Sequence, residues 1–265
     1  MEARMVAAAY YPPGFFCWNE LGTRGAESAK RFYGQLFSWE TQDVPMGPEG
    51  TYTLIKIDGK DIAGLYEMTG AHFEGVPPHW LSYIAVANAD ASAKRAAALG
   101  GTVLSAPFDV PNVGRMAVIK DPQGAVFAIF QAGAHPGAAR LGLLPGAFCW
   151  NELATTDTSS AMNFYRKLFG WEAKTDTSPM PYTEFIMQGT PGAGMLQIRP
   201  DWGNVPPNWM PYVAVADCDA GARKAASLGG KVIRAPTDIP NVGRFALLGD
   251  PQGAVFAIIK LSAPA

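Results

Sequence analysis

The sequence predicts an α+β fold made of two tandem copies of one module, each copy built from two strand–helix–three-strand units. Three observations carry this. The stretch DPQGAVFAI occupies Asp121–Ile129 and recurs unchanged at Asp250–Ile258. Shorter motifs recur in the same order along both halves. Within each half, apolar runs with period two surround stretches with helical period.

The recurring motifs are co-linear. Phe16-Cys17-Trp18-Asn19-Glu20-Leu21 returns as Phe148-Cys149-Trp150-Asn151-Glu152-Leu153. Phe32-Tyr33 with Leu36-Phe37 returns as Phe164-Tyr165 with Leu168-Phe169. Val76-Pro77-Pro78 before Trp80 returns as Val205-Pro206-Pro207 before Trp209, and Pro111–Arg115 as Pro240–Arg244. The offset falls from 132 early to 129 late, so the second copy is three residues shorter. The expected boundaries are a first module over 13–131, a Gly/Ala-rich linker over 132–145 and a second module over 146–261.

Each element has a local reason. Phe15 to Leu21 alternates and reads as a strand. Ala29, Phe32, Tyr33, Leu36 and Phe37 fall on one face of a helix. Strands follow around Tyr52–Ile57, Ile62–Tyr66 and Trp80–Val86. Asp90 is placed to cap a second helix that Gly100-Gly101 ends. Arg115–Ile119 and Ala125–Phe130 close the module, joined by the turn Asp121-Pro122-Gln123-Gly124.

Composition narrows the function classes. Of 265 residues, 48% are hydrophobic and 17% charged, enough apolar surface for a packed core. The net charge of −2 gives no basic footprint for nucleic acid. No apolar run is long enough for a membrane span, and Met1 to Pro13 has no apolar core of a secretory leader. Three cysteines, Cys17, Cys149 and Cys218, suit reduced thiols better than a disulfide framework. The expectation is a cytoplasmic protein, monomeric or weakly homodimeric, whose partner is a small molecule. No nucleotide-binding, Ser-His-Asp or P-loop pattern appears.

These features resemble the vicinal oxygen chelate superfamily, the group of glyoxalases, bleomycin-resistance proteins and ring-cleaving dioxygenases. The carriers are the first strand, the helix ending FYxxLFxW (Phe32–Trp39 and Phe164–Trp171) and the closing DPxG hairpin. The resemblance spans residues 13 to 260 and is closest to tandem-module actinobacterial members labelled "hydroxylase". It implies paired βαβββ units whose curved mixed sheets surround a cavity, with two modules packed in one chain.

The resemblance also implies three metal-ligand positions per module. They fall on Trp18, Leu81 and Ala128 in the first copy and on Trp150, Met210 and Ala257 in the second. None of these binds a divalent ion. His72 and His135 lie outside strands. His79, two residues before Leu81, and Glu20 would supply at most two ligands in one copy. No metal and no cofactor is therefore expected.

Alternation instead gives each cavity an aromatic lining. Phe16, Trp18 and Glu20 share a face, as do Phe148, Trp150 and Glu152. Tyr83 shares a face with Leu81, and Tyr212 with Met210. Two placements remain open for the indoles: ligand platform or cavity filling. Three remain for the carboxylates: buried in the cavity, exposed, or paired with Arg115 and Arg244, which stand either as loop anchors or as candidate ligand contacts. Trp80 and Trp209 suit either rim or core.

Two function classes fit. One is a metal-independent binding module that sequesters a flat aromatic or polyketide-like compound, as in antibiotic resistance. The alternative is a metal-free enzyme with Glu20 or Glu152 as base and Tyr83 or Tyr212 as acid. A metal-dependent glyoxalase or dioxygenase-like activity comes third, because the ligands are missing.

Overall fold

The computed structural model describes residues 10–47, 50–177 and 181–262. Residues 1–9 of the N-terminal stretch read for a leader lie outside these. Residues 16–132 form one eight-stranded sheet and residues 148–261 the other.

In the first sheet the chain runs β1 (Phe16–Thr23), α1 (Ala26–Phe37), β2 (Glu40–Pro45), β3 (Thr51–Ile57), β4 (Lys60–Glu67), β5 (His79–Ala85), α2 (Ala89–Ala98), β6 (Thr102–Val110), β7 (Gly114–Lys120) and β8 (Val126–Ala132). The strand order is β2-β3-β4-β1-β5-β8-β7-β6. β1 pairs parallel with β4 and β5 parallel with β8, while β1 and β5 run antiparallel at the centre. These are the two expected βαβββ units. The second module repeats them as β9 (Phe148–Thr155), α3 (Thr158–Phe169), β10 (Glu172–Thr175), β11 (Tyr182–Met187), β12 (Thr190–Gln197), β13 (Asn208–Ala214), α4 (Cys218–Ser227), β14 (Lys231–Ile239), β15 (Gly243–Gly249) and β16 (Val255–Leu261), in the corresponding order.

The helices form where expected. α1 buries Ala29, Phe32, Tyr33 and Leu36, and α3 buries Ala161, Phe164, Tyr165 and Leu168. The cap of α2 is Asn88, whose side chain accepts from the Ala91 amide at 2.8 Å, rather than Asp90. Asp90 sits in the first turn and pairs with Arg115 instead. Four strands escape the hydrophobic pattern: β2, β6, β10 and β14. All are sheet edges whose side chains are largely exposed, so little alternation marks them.

The helix-bearing outer faces of the sheets pack on each other crosswise. One core joins Ile84, Ile119 and Phe127 of the first sheet to Phe164, Tyr165 and Phe185 of the second. The other joins Phe32, Tyr33 and Ile55 to Val213, Leu248 and Phe256. The first unit of each module thus shares its core with the second unit of the other.

Polar bonds pin this exchange. Oδ1 of Asp121 accepts from the amides of Gln123, Gly124 and Ala125 at 2.8–2.9 Å, closing the DPQG turn. Gly124 completes the turn at φ +116°, a conformation that suits glycine. Oδ2 accepts from the Tyr165 hydroxyl across the interface at 2.9 Å. Asp250 does the same with Tyr33 at 3.1 Å. Each tyrosine oxygen accepts an indole N–H, from Trp209 at 2.8 Å and Trp80 at 3.0 Å. Trp80 and Trp209 are therefore core residues. Gln123 and Gln252 reach Ser160 and Ser28 of the opposite module.

Removing the Tyr165 hydroxyl leaves a buried carboxylate oxygen and an indole N–H unpaired. Tyr165→Phe is expected to lower stability by about 1–3 kcal/mol, read from urea midpoints. Because the cores are shared, wild type and variant are both expected to unfold in one transition. Two separated transitions would contradict the crosswise core.

Candidate functional site

The inner face of each sheet carries no helix, and both copies build the same polar constellation there. In the first module Glu20 of β1 lies opposite Leu81 of β5 and beside Gly64 of β4. The Tyr83 hydroxyl donates to Glu20 Oε2 at 2.6 Å, and the Tyr52 hydroxyl to Oε1 at 2.7 Å. Trp18 Nε1 donates in turn to the Tyr52 oxygen at 3.1 Å. The second module repeats each bond. Tyr212 and Tyr182 donate to Glu152 at 2.7 and 2.9 Å, and Trp150 Nε1 donates to Tyr182 at 2.9 Å.

Tyr52 and Tyr182 were not among the residues singled out from sequence. Their strands β3 and β11 differ in most positions, yet both copies keep Tyr-Thr there and Ala-Gly on the neighbouring strand. The glycine is required. A Cβ on Gly64 would overlap the Tyr52 hydroxyl, and one on Gly194 would overlap that of Tyr182. The identical Tyr and Gly within otherwise divergent strands were the available signal.

Burial governs the electrostatics. Desolvation raises the carboxyl pKa of both Glu20 and Glu152, against the lowering effect of the two tyrosine hydrogen bonds. Burial and the adjacent carboxylate push the Tyr52, Tyr83, Tyr182 and Tyr212 phenols up. Burial also raises the thiols of Cys17 and Cys149 to about 12, so neither is a nucleophile at neutral pH.

Several expected site residues are elsewhere. Phe16 and Phe148 do not line the inner faces. A bulge after each breaks the alternation, so that Phe16 pairs with Ile84 and Trp18 with Tyr83. Phe16 packs against Trp171 and Trp209 in the shared core, and Phe148 against Trp39 and Trp80. Arg115 and Arg244 do not meet the glutamates either. Arg115 binds Asp90 and Asp109, while Arg244 binds Asp219 and Asp238. Leu81 and Ala128 do lie in the inner-face cluster with Trp18 and Tyr83, and Met210 and Ala257 lie with Trp150 and Tyr212.

The two inner faces differ in access. In the first module Trp18 is 8% exposed and Glu20 8%. The linker covers them: the Ala138 amide donates to the Cys17 carbonyl at 2.8 Å and that of Ala139 to Asp61 at 2.7 Å. The His135 ring meets Trp18 edge-on at 5.0 Å, and its Nδ1 accepts from the Gly137 amide. Tyr11 packs on the same cluster and donates to the Ala138 carbonyl. In the second module Cys149, Trp150, Glu152, Tyr182, Met210, Phe245 and Leu247 are all half-buried. No segment covers them among the described residues. A hollow of about 450 Å³ beside the end of α3, lined by Arg166, Lys167, Trp171 and Glu172, lies away from both inner faces.

The donors present do not fit a metal. Both oxygens of each glutamate are engaged by phenols, and the three implied ligand positions hold an indole and aliphatic groups. His79, at the start of β5, has its Nδ1 against the Pro77 carbonyl. Among the described residues no three His, Cys, Asp or Glu side chains cluster.

Comparison with known proteins places this geometry. The family model described as Glyoxalase/Bleomycin resistance protein/Dioxygenase superfamily matches residues 18–129 and again 148–258. "Putative glyoxylase CFP32" of Mycobacterium tuberculosis is 38% identical over 94% of this chain and 96% of its own length. "Anthracycline biosynthesis protein DnrV" of Streptomyces peucetius is 37% identical over 95% and 94%. Among solved structures, the Mn(II)-bound glyoxalase of Novosphingobium aromaticivorans superposes with a TM-score of 0.62 at 15% identity, over 94% of this chain and 82% of that one. The 2,2',3-trihydroxybiphenyl 1,2-dioxygenase of Sphingomonas wittichii gives 0.63 at 12%, over 94% and 91%. At such identities the two structures share the fold with this chain and no more.

Two outcomes follow from the site. A carboxyl whose folded pKa is raised favours the native state most below the ordinary glutamate value of about 4.3, and that contribution is lost as pH climbs through the folded value. Glu20→Gln removes the titration. Its stability relative to wild type is expected to improve as pH rises above the ordinary glutamate value in urea titrations; a pH-independent difference would refute the buried, raised carboxyl. Elemental analysis after dialysis is expected to find far less than one transition metal per module, and a stoichiometric ion would overturn the mismatch of donors.

Proposed function

This chain belongs to the glyoxalase/bleomycin resistance protein/dioxygenase superfamily, and within it we propose that it binds a flat aromatic, polyketide-like compound on an inner sheet face without using a metal. One observation carries the reading: the same Trp–Tyr–Glu–Tyr network stands on the inner face of both copies, its tryptophan at one of the implied ligand positions. An indole beside two phenols offers ring faces for stacking, and the carboxylate offers an acceptor to a hydroxyl of the ligand. The kinship with proteins named for anthracycline biosynthesis supports the ligand class, since anthracyclines are planar aromatic polyketides. In its simplest form the role is sequestration, of the kind that protects a producing or exposed cell.

A second reading follows from the glutamates themselves. Burial raises Glu152, which brings its carboxyl closer to the range where a general base works near neutrality, and Tyr212 donates to it. In that reading Glu152 removes a proton from an acidic carbon or phenol of the substrate while Tyr212 hydrogen-bonds the oxygen that gains charge. Both oxygens of Glu152 already accept, so a tyrosine must give way before substrate approaches.

Titration with hydroxylated anthraquinones is expected to quench tryptophan fluorescence, and Trp150→Ala to weaken binding by at least the roughly 0.5–1.5 kcal/mol of ring stacking. Mass spectrometry of the released compound separates the readings. Unchanged mass in wild type, with binding retained in Glu152→Gln, supports sequestration. A product that forms in wild type and vanishes in Glu152→Gln establishes the enzyme instead. Absence of binding across the series would defeat the proposal.

A further inference from the structure

The two inner faces carry the same network and differ in what surrounds it. The first is sealed by Tyr11, His135 and Ala138. The second is half open, and it carries an arginine on its edge strand where the first has a serine. Arg234 of β14 stands in register with Leu247 of β15, whose side chain belongs to the inner-face cluster. In the first module the corresponding pair is Ser105 with Val118. Arg234 therefore points to the inner face at the edge of the sheet, where its guanidinium lies over the Phe245 ring at 5.2 Å from the centroid. Phe245 in turn contacts Tyr212.

The side chain is exposed and forms no ion pair among the described residues; the nearby carboxylate, Asp201, is paired with Arg199, and Arg234 only adds to the lowering of its pKa. It is nonetheless near enough to the network for its charge to oppose the rise of the Glu152 and Tyr212 pKa values. β9 and β14 stand far apart in strand order, so this influence crosses the hollow of the curved sheet rather than running along it. Contacts link the two groups across this face: Arg234 lies over Phe245, Phe245 meets Tyr212, and Tyr212 donates to Glu152, with Trp150 and Met210 in the same cluster. A donor on a ligand suits the glutamate end, and an anionic group suits the arginine end.

We propose that the second module is the ligand-binding one and that it selects planar aromatic compounds bearing an acidic group, with Arg234 as the residue that recognises that group. This rests on the reading of the Trp150 face as an aromatic platform. The first module's copy of the network, closed by the linker, holds its own strands together. Arg234 acts through charge, its planar fork matching a carboxylate or an ionised phenol, while the aromatic body of the ligand covers Trp150 and Met210.

The test compares naphthalene-2-carboxylate with naphthalene-2-carboxamide, which match in shape and differ in charge, by isothermal titration calorimetry. Wild type is expected to bind one equivalent of the carboxylate per chain, about ten-fold more tightly than the carboxamide, for a charge-assisted pair near 1.4 kcal/mol. Arg234→Ser, which installs the first module's residue at an exposed position, is expected to erase that preference. Equal affinities in wild type, or a preference that survives Arg234→Ser, would overturn the acid recognition while leaving the aromatic reading standing. Two equivalents per chain would overturn the assignment to the second module. If neither naphthalene binds, the aromatic reading falls and takes this inference with it.

Discussion

Asp121 gives one carboxylate oxygen to the backbone of its own turn and the other to Tyr165 of the opposite module, and Asp250 does the same toward Tyr33. A buried aspartate left unpaired is strongly unfavourable, so the two tyrosine bonds favour the pairing of these surfaces. Burial raises both carboxyls, and the amide and phenol donors hold that rise back. The bond also reaches the candidate site. Tyr33 accepts from Trp80, and Trp80 shares β5 with Tyr83. One strand is thereby anchored on its outer face to the other module and on its inner face to Glu20. Placement of the Tyr83 hydroxyl depends on the packing of two modules, not of one.

The inner faces show how a fold used for metal chemistry elsewhere is filled differently. On each inner face an indole, two phenols and a glutamate converge on each other. The glutamate is the one charge-bearing group of each network, and hydrogen bonds from both sides hold it in place. Such a network is rigid and amphipathic. It keeps its polar atoms internally paired until a competing donor arrives, and in the second module it leaves Trp150 and Tyr182 half-buried. The duplicates have different surroundings, and surroundings rather than the network distinguish them.

Much of this was legible in the sequence. The repeat, the βαβββ order, the helix faces through Phe32 and Tyr33, and the shared face of Trp18 with Glu20 follow from periodicity and self-similarity. Three features did not follow. Period-two reasoning put Phe16 and Phe148 beside the indoles, because a bulge leaves no local signature in an apolar run. Arg115 and Arg244 looked like partners for the glutamates, although strand alternation sends them to the helix-bearing face, where Asp90 and Asp219 wait. The third is the crosswise core. FYxxLF reads as the buried face of a helix in any arrangement, and nothing along the chain says that the wall it meets lies in the other half. The edge strands β2 and β6 escaped notice because strands exposed to solvent need no apolar alternation.

The shared cores also bear on how the protein is made. The wall against which Phe32, Tyr33 and Trp39 pack is supplied by residues between Val213 and Phe256. During translation the first half therefore leaves the ribosome with that aromatic surface bare. Synthesis at roughly 5–20 residues per second keeps it so for on the order of ten seconds or longer. Across that interval the nascent half is a natural client for chaperones. It can also meet the complementary surface of a neighbouring chain on the same messenger, so the order of synthesis and the spacing of ribosomes decide whether each core closes within one polypeptide or between two.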